Sequence, residues 1–244
     1  MKTTKKALSK HPKAEKLHYK DEDIRWATPE AAADYRAERL KCKVIADLGC
    51  GIGFQAFSFA KKCKKVYAVE LNKEKITLAE KNAEILGLKN IEFIHGDILD
   101  EKVISKLKDV EIVFCDPERL PEEKQRSVAS IKPNIRQLLD KYSEITEKIA
   151  IEFPPQITEI PFDCEKEYLS IDGQLNRLTL YFGGLQKCEK SVVVLPSGKK
   201  LCSSTAVLEE TDELGSYLYE ADAAVVKAGL LAELCQETGA KIYF

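Results

Sequence analysis

The segment DLGCGIG (residues 47–53) follows the apolar run KVIA (43–46) and precedes FQAFSFAKKC (54–63). A short apolar run that ends in glycines and leads into apolar residues at helical spacing predicts a strand, a tight turn and a helix. Glycines in such a turn let the backbone approach a ligand closely, and open parallel sheets bind ligands at the carboxyl ends of their strands. The segment therefore predicts a ligand-binding turn after the first strand of an α/β fold.

The alternation of strand and helix continues beyond this turn. The predicted strands are KVYAVEL (65–71), NIEFIHGD (90–97), EIVFCDP (111–117) and KIAIEFPP (148–155), and the predicted helices between them are KEKITLAEKNAEILG (73–87), EKVISKL (101–107) and IKPNIRQLLDKYSEIT (131–146). This order is typical of a parallel sheet with helices on both faces.

The pattern changes after Pro155. The segments EKEYLSI (165–171), LNRLTLYFGG (175–184) and KSVVVLPSGKK (190–200) follow one another without a helix, which predicts antiparallel strands. The last stretch, residues 220–244, predicts one helix that ends near Gly239 and a short strand. The predicted fold class is therefore α/β: a Rossmann-like doubly wound sheet of about seven strands, mostly parallel with an antiparallel end.

The composition is that of an ordinary globular protein. Of the 244 residues 44% are hydrophobic and 32% charged, and the formal net charge is -2. No apolar run approaches the ~20 residues that cross a bilayer, and MKTTKKALSKHPKAEK (1–16) has no apolar core for a signal peptide. The eight cysteines form no C-x-x-C pair, which favours reduced thiols over a metal site. We expect a cytoplasmic protein that needs no membrane and no metal.

Charge is distributed unevenly along the chain. Residues 1–20 contain seven lysines against Glu15 alone, KKCKK (61–65) adds four more, and residues 209–222 are acidic. A basic arm suits a polyanion such as RNA, although a solvated, partly disordered terminus has the same composition. The predicted domains are a basic N-terminal arm (1–24), the α/β domain (25–200) and a C-terminal segment packed on that domain (201–244).

Acidic residues end the first three predicted strands, where a ligand would bind. Asp47 would repel a pyrophosphate, and Phe54 occupies the position at which a dinucleotide-binding turn needs a small residue. The Asp47 carboxylate instead suits a ligand that carries an ammonium and a sulfonium. Glu70 could accept hydrogen bonds from both ribose hydroxyls, and Asp97 could accept one from an adenine amino group while Ile98 packs on the ring.

In this order, these signals resemble the class I S-adenosylmethionine-dependent methyltransferases over roughly residues 25–155. The resemblance implies S-adenosyl-L-methionine as the cofactor. The residues predicted to bind it are Trp26, Thr28, Asp47, Leu48, Gly49, Cys50, Gly51, Gly53, Phe54, Glu70, Leu71, Asp97, Ile98 and Asp116.

Two parts of the chain resemble narrower groups of these enzymes. Residues 25–99, with TPE at 28–30, are similar to the catalytic domain of trimethylguanosine synthase, which methylates the 2-amino group of a guanosine cap. YLYEADAAVVKAGLLAEL (217–234) resembles the THUMP-like segment of certain bacterial and archaeal methyltransferases. In those relatives the fourth-strand motif also has Asp-Pro before charged residues, as DPERL (116–120) does here.

The motif EIVFCDPERLP (111–121) is the predicted acceptor site. Enzymes that methylate exocyclic amino groups resemble one another in an Asp/Asn-Pro-Pro-aromatic motif, which implies that Asp116 and the Pro117 carbonyl accept the two amino hydrogens. Glu118 and Arg119 replace the stacking residues. Arg119 could stack on a base or bind a phosphate, or the two could form an ion pair. Trp26 could stack a base or cover the ligand.

The sequence thus predicts an S-adenosylmethionine-dependent methyltransferase that modifies a nitrogen of RNA, with the guanine 2-amino group favoured. A tRNA or another structured RNA is the expected partner, and the oligomeric state is left open. The alternatives are a methyltransferase for a small molecule or protein, and a binding module that has lost turnover, because Glu118 and Arg119 depart from the amine-methylating pattern. A nicotinamide dehydrogenase is disfavoured by Asp47 and Phe54.

Overall fold

The computed structural model describes residues 5–119 and 127–243, which form two compact units. The first unit extends to Ile151 and the second begins at Glu152. The domain boundaries predicted from the sequence, after residues 24 and 200, stay predictions.

From Val44 onward the first unit alternates helices and strands in the predicted order, but residues 131–132, predicted as part of a helix, form a short strand, and three helices of the described chain precede Val44. Its helices are α1 (Lys5–Lys10), α2 (Asp21–Trp26), α3 (Glu30–Arg39), α4 (Phe54–Ala60), α5 (Lys73–Leu86), α6 (Glu101–Ile104) and α7 (Ile135–Ser143). Its strands are β1 (Val44–Leu48), β2 (Lys65–Glu70), β3 (Ile91–His95), β4 (Ile112–Cys115), β5 (Glu118–Arg119), β6 (Ile131–Lys132) and β7 (Ile149–Phe153), the last of which runs into the second unit.

Five of these strands are joined in parallel, in the order β3-β2-β1-β4-β7. All four residues of β4 are buried, which explains why its sequence is continuously apolar rather than alternating. All five residues of β7 are buried too, including Glu152, which pairs with Arg177 at 3.0 Å. The register pairs Leu48 with both Val69 and Cys115, and pairs Glu70 with His95. The carboxyl ends of the first four strands of the chain therefore lie at one edge of the sheet.

Local sequence signals set the bounds of α5. The Asn72 side chain accepts hydrogen bonds from the Glu74 and Lys75 backbone N–H groups, which would otherwise lack partners in the first turn. Gly87 ends the helix in the left-handed conformation, with φ of 72°. Helix α5 therefore begins directly after β2 and keeps the second strand end close to the glycine turn.

The N-terminal residues are folded onto the first unit. We call residues 5–26 the N-terminal layer; they comprise α1, a 3-10 turn and α2. Leu17 and Ile24 are buried in a cluster with Ile52, Phe54 and Phe57 from the glycine turn and α4. This burial excludes a fully solvated tail for residues 5–26.

The second unit contains β8 (Glu165–Ile171), β9 (Gln174–Tyr181), β10 (Lys190–Leu195), β11 (Lys199–Cys202), β12 (Glu210–Thr211), α8 (Ala223–Ala228), α9 (Leu231–Thr238) and β13 (Ile242–Tyr243). Strands β8 and β9 are antiparallel, as are β10 and β11. Strand β10, however, lies beside β8 and runs parallel to it. The prediction of a wholly antiparallel set was wrong at this strand.

Two physical features explain the differences from the sequence-based expectation in this unit. The Ser191 hydroxyl and the Lys187 N–H both donate to the carboxylate of Glu165, at 2.5 and 2.8 Å, which fixes the start of β10 against β8 rather than β9. The predicted C-terminal helix is interrupted because Gly229 adopts the left-handed conformation, so α8 and α9 are separate helices.

The predicted fold class is confirmed: an α/β Rossmann-like fold, mostly parallel with an antiparallel end. Among residues 5–119 and 127–243, no helix is both long enough and apolar enough to cross a bilayer.

Candidate functional site

Four carboxylates lie at or just beyond the carboxyl ends of successive strands in the first unit. Asp47 is the fourth residue of β1, Glu70 is the last residue of β2, and Asp97 and Asp116 follow β3 and β4 closely. Because these strands are parallel and paired in register, the four residues share one edge of the sheet. This is the edge at which open α/β sheets bind their ligands.

Backbone hydrogen bonds to the second strand hold the glycine turn at this edge. The N–H groups of Gly49 and Cys50 both donate to the Val69 carbonyl at 2.9 Å. The N–H of Gly51 donates to Glu70 Oε2 at 2.8 Å. The turn is therefore held by β2 and its terminal carboxylate.

Two of the turn's glycines are required by what lies next to them. Gly49 has φ of +79°, and a Cβ atom there would lie 3.1 Å from the carbonyl oxygen of Asp116. Gly53 has φ of +95°, and a Cβ atom there would lie 2.5 Å from the Phe57 ring. Gly49 thus lets the turn approach the Asp116 segment closely, and Gly53 lets it pack on α4.

The space at Gly51 is open. A Cβ atom at this position would meet nothing within 4 Å, although φ is +56°. The turn therefore presents bare backbone here, with buried Asp47 and Glu70 close by in the chain and across the sheet. An adenosine carrying a cationic sulfonium fits this combination of accessible backbone and carboxylates.

Glu70 has a structural role that sequence reasoning missed. Its side chain is buried, and its two oxygens accept from the Gly51 and Asn72 N–H groups, each at 2.8 Å. The carboxylate thus joins the glycine turn to the start of α5. Each carboxylate oxygen can accept more than one hydrogen bond, so the predicted contact with ribose hydroxyls is compatible with this role.

The site's cysteines are protonated at neutral pH. Burial, followed by the carboxylates of Asp47 and Glu70, holds the pKa of the Cys50 thiol well above its ordinary value. Burial also raises the pKa of Cys115, with smaller contributions from Asp116 and Asp47. Because nucleophilic chemistry requires a thiolate, neither cysteine is suited to act as a nucleophile.

The segment after β3 is shaped by two further contacts. Asp97 is exposed, and its Oδ1 accepts from the Leu99 N–H at 2.9 Å, which closes a tight turn. The Tyr142 hydroxyl donates to the carbonyl of Ile98 at 2.7 Å. Tyr142 therefore fixes the backbone that carries the two predicted adenine contacts; it was missed because it lies 44 positions further along the chain.

Leu71 follows Glu70 and remains 67% exposed at the edge of the sheet. Its carbonyl is 3.0 Å from His95 Nε2 at the end of β3. This contact links the second and third strand ends. His95 carried no signal in the sequence, because a lone polar residue at a strand end is common.

The acceptor motif begins directly beside the glycine turn. The Asp116 N–H donates to the Leu48 carbonyl at 3.3 Å; Asp116 is half-buried, and Pro117 is buried. The backbone then continues as β5, in which Glu118 and Arg119 pair antiparallel with residues 131–132. The side chains of Glu118 and Arg119 lie outside what the structure describes, so their predicted stacking, phosphate contact or ion pair stays a prediction.

The remaining predicted cofactor residues lie in different environments. Trp26 is 48% exposed at the end of α2, whereas Thr28 is buried. Leu48 is buried within β1. The Phe54 ring is buried in the core, 5.3 Å from the ring of His11, so only the Phe54 backbone is left to face the turn.

A cavity of about 250 Å³ lies elsewhere, within the second unit. Polar residues such as Lys200, Glu233 and Gln236 line it, and none of the strand-end carboxylates does. It is a shallow surface depression and not part of the site described above.

Comparison with known proteins gives the family. A family model described as a methyltransferase domain matches residues 40–161, which is half of the 244 residues. The chain therefore belongs to the methyltransferase-domain family. This range includes the glycine turn and all four strand-end carboxylates.

Curated relatives agree with this assignment. An uncharacterized S-adenosylmethionine-dependent methyltransferase of Mycobacterium tuberculosis is 25% identical over 225 residues, covering 87% of this chain and 60% of the relative. An uncharacterized RNA methyltransferase of Oceanobacillus iheyensis is 42% identical over 83 residues, covering 32% of this chain and 18% of the relative. The chain thus spans about 60% of the length of the mycobacterial relative that it matches.

A solved structure supports the fold. A methyltransferase candidate from Porphyromonas gingivalis superposes with a TM-score of 0.81 at 16% identity, covering 96% of this chain and 64% of that one. The prediction of a methyltransferase is confirmed at the level of the family. S-adenosylmethionine is the cofactor in the name of the mycobacterial relative, and for this chain it remains a proposal.

Proposed function

We propose that this protein transfers a methyl group from S-adenosylmethionine to a nitrogen of RNA, with the exocyclic 2-amino group of guanine as the favoured acceptor. One observation is the main support for this proposal. The Asp116 carbonyl lies so close to Gly49 that a Cβ there would be 3.1 Å away, so the acceptor motif directly adjoins the donor turn. A nitrogen bound by that motif would be next to the donor.

The donor side uses the strand-end carboxylates. S-adenosylmethionine, when bound, supplies an electrophilic methyl group on a sulfonium. We assign Asp47 to its cationic amino acid part, Glu70 to the ribose hydroxyls, and Asp97 with Ile98 to the adenine. These groups are held by the backbone and side-chain contacts described above, so they require little reorganisation when the ligand binds.

The acceptor side must orient a weakly nucleophilic nitrogen. The lone pair of an exocyclic amino group is delocalised into the ring, and it becomes available when both N–H bonds are directed to fixed acceptors. The Asp116 carboxylate and the Pro117 carbonyl would accept those two hydrogens. As the new N–C bond forms, the S–CH3 bond of the donor would break and leave a neutral thioether, and Asp116, which accepts one of the amino hydrogens, would take the departing proton.

Support for RNA as the acceptor comes from several weaker observations. The Oceanobacillus relative, which matches a third of this chain, is named an RNA methyltransferase. The chain also resembles trimethylguanosine synthase and THUMP-like methyltransferases, and its first 20 residues are rich in lysine. A tRNA or another structured RNA is therefore the proposed partner, and we assign Arg119 to stack on a base or bind a phosphate.

The second candidate is a module that binds S-adenosylmethionine without turnover, or that methylates a small molecule or a protein. The observation that favours it is the sequence after Asp116-Pro117, where Glu118 and Arg119 replace the aromatic stacking residue of amine methyltransferases. The presence or absence of methyl transfer to RNA distinguishes the two candidates.

The test uses the purified protein, bulk RNA and S-adenosylmethionine that carries a deuterated methyl group. We expect labelled N2-methylguanosine when the RNA is digested to nucleosides and measured by mass spectrometry. Heat-inactivated protein is the control. A label on a different nucleoside would support RNA methylation but contradict the 2-amino group of guanine as the acceptor. No label on the RNA, in a protein that binds the donor, would favour the second candidate.

A further inference from the structure

Trp26 is the one tryptophan of the chain, and it is 48% exposed at the end of α2. A large aromatic ring left in solvent at a candidate active site requires an explanation, because burying it would be favourable. The predicted cofactor site belongs to the same unit of the fold.

The backbone on both sides of Trp26 is anchored to the glycine turn. Ile24 is 2% exposed and belongs to the cluster that contains Ile52 and Phe54. Ala27 packs against the same cluster, and its N–H donates to the Asp23 carbonyl at 3.0 Å. Trp26 is therefore held at a fixed position beside the donor turn, while its ring remains exposed.

One cation lies against the ring, and further cations are exposed elsewhere on the N-terminal layer, whereas α2 itself begins with Asp21, Glu22 and Asp23. The guanidinium carbon of Arg25 is 5.1 Å from the centre of the indole ring. Lys5, Lys13 and Lys16 are exposed on the same layer. The sequence of the N-terminal layer contains seven basic and four acidic residues, the exposed acids being Glu15, Asp21 and Glu22.

We propose that the N-terminal layer binds the single-stranded part of the acceptor RNA, with a base stacked on Trp26 and phosphates held by Arg25 and the exposed lysines. An aromatic face combined with cations is how proteins bind unpaired nucleotides without reading their sequence. This inference rests on the proposed RNA acceptor. It assigns Trp26 to the acceptor side of the site and not to covering the donor.

The binding experiment uses a mixed-sequence single-stranded oligoribonucleotide and no donor. Because Trp26 is the sole tryptophan, its fluorescence reports on this position alone. We expect the RNA to quench the emission in a saturable manner. Raising the salt concentration should weaken binding, because phosphate contacts release counterions.

Substitutions then separate stacking from general charge. In anisotropy titrations with labelled RNA, Trp26→Ala should weaken binding roughly tenfold or more, and Trp26→Phe should retain most of the affinity, because stacking on an aromatic face is worth about 1–3 kcal/mol per base. The matched control is Tyr243→Ala, which removes an aromatic ring that is 51% exposed in the second unit and should leave RNA affinity unchanged.

Calorimetry of S-adenosylmethionine binding to Trp26→Ala distinguishes the possible failures. Wild-type donor affinity together with lost RNA affinity would support the stacking of an RNA base on Trp26. Weakened donor binding with unchanged RNA affinity would show that Trp26 covers the donor and overturn the inference. If the variant keeps its RNA affinity and still methylates RNA, the stacking on Trp26 is overturned and the proposed RNA acceptor is not. If the wild-type protein binds no RNA, both the stacking and the proposed RNA acceptor are overturned.

Discussion

At the scale of single residues, the site depends on close approach between backbone segments. Gly49 allows the turn after β1 to lie against the carbonyl of Asp116, and no other residue type combines its φ of +79° with the space available. A glycine in a turn is recognisable from the sequence. The identity of the segment that approaches it is not, because Asp116 lies far along the chain.

Gly49→Ala should therefore destabilise the protein and impair methyl transfer. The left-handed conformation is strained for alanine by roughly 1–2 kcal/mol, and the new methyl would also press on Asp116. The matched control is Gly87→Ala, because Gly87 has φ of +72° but nothing within 4 Å. Thermal unfolding should show a larger decrease in melting temperature for Gly49→Ala than for Gly87→Ala, and only Gly49→Ala should lose methyl transfer. Equal decreases in both variants would contradict the claim that Gly49 is required by its contact with Asp116.

Glu70→Ala should weaken S-adenosylmethionine binding and lower the melting temperature together. The carboxylate accepts two backbone N–H groups and is also the proposed ribose acceptor, and loss of a hydrogen bond to a charged group costs about 1.5–3 kcal/mol. Calorimetry and thermal unfolding measure the two effects. The control is Glu80→Ala, on the exposed face of α5, which should leave both quantities unchanged. Wild-type donor affinity in Glu70→Ala would contradict the assignment of Glu70 to the ribose hydroxyls.

At the scale of elements, the N-terminal layer shows where local pattern and tertiary structure diverge. Its lysines suggest an arm for a polyanion, and that prediction stands untested. Its scattered apolar residues gave no clear period, because Leu17 and Tyr19 lie in the link between the 3-10 turn and α2, and Ile24 lies on α2, which has only six residues. They become a buried face only when they meet Ile52 and Phe54.

The packing of the N-terminal layer against the glycine turn and α4 should depend on pH. His11 is buried against the Phe54 ring, and burial lowers its pKa below the ordinary value of 6.5, only partly opposed by Glu30 at 3.7 Å. As pH falls below 6.5, His11 therefore binds a proton more readily in the unfolded chain than in the folded one. The contribution of neutral His11 to the free energy of unfolding is complete above pH 6.5 and decreases as pH falls toward the folded-state pKa.

The comparison of His11→Asn with wild type tests this, because asparagine does not titrate but can accept the Lys13 N–H hydrogen bond that His11 Nδ1 accepts. Thermal unfolding between about pH 7.5 and about pH 5 should show a shallower loss of stability in the variant. Identical slopes for wild type and His11→Asn would mean that His11 does not control this packing.

The second unit shows that the order of strands along the sequence does not always predict which strands pair. Successive strands without helices usually form hairpins, and β8 and β9 do. Strand β10 instead pairs with β8 in parallel, fixed by the contacts of Glu165 with Ser191 and the Lys187 N–H. A buried glutamate that selects the neighbouring strand leaves no periodic signal, so the order of strands could not be predicted here.

At the scale of the whole molecule, the order of acids along the sequence was sufficient to predict the sheet edge that forms the site. Asp47 and Glu70 are the last but one and the last residue of their strands, Asp97 and Asp116 follow theirs, and parallel strands align their carboxyl ends. What could not be predicted is the support behind them. Tyr142 and His95 act through contacts between residues 24 to 44 positions apart, and no local pattern encodes such a pair.

The measurement that tests the central claim most directly is donor affinity and methyl transfer compared in Asp116→Ala. If Asp116 orients the acceptor nitrogen, calorimetry should give near wild-type affinity for S-adenosylmethionine, while transfer to RNA falls by about two decades, because the contact matters mainly on the way to the transition state. Transfer at the wild-type rate by a folded Asp116→Ala protein would contradict the account, as would a loss of donor binding as large as the loss of activity.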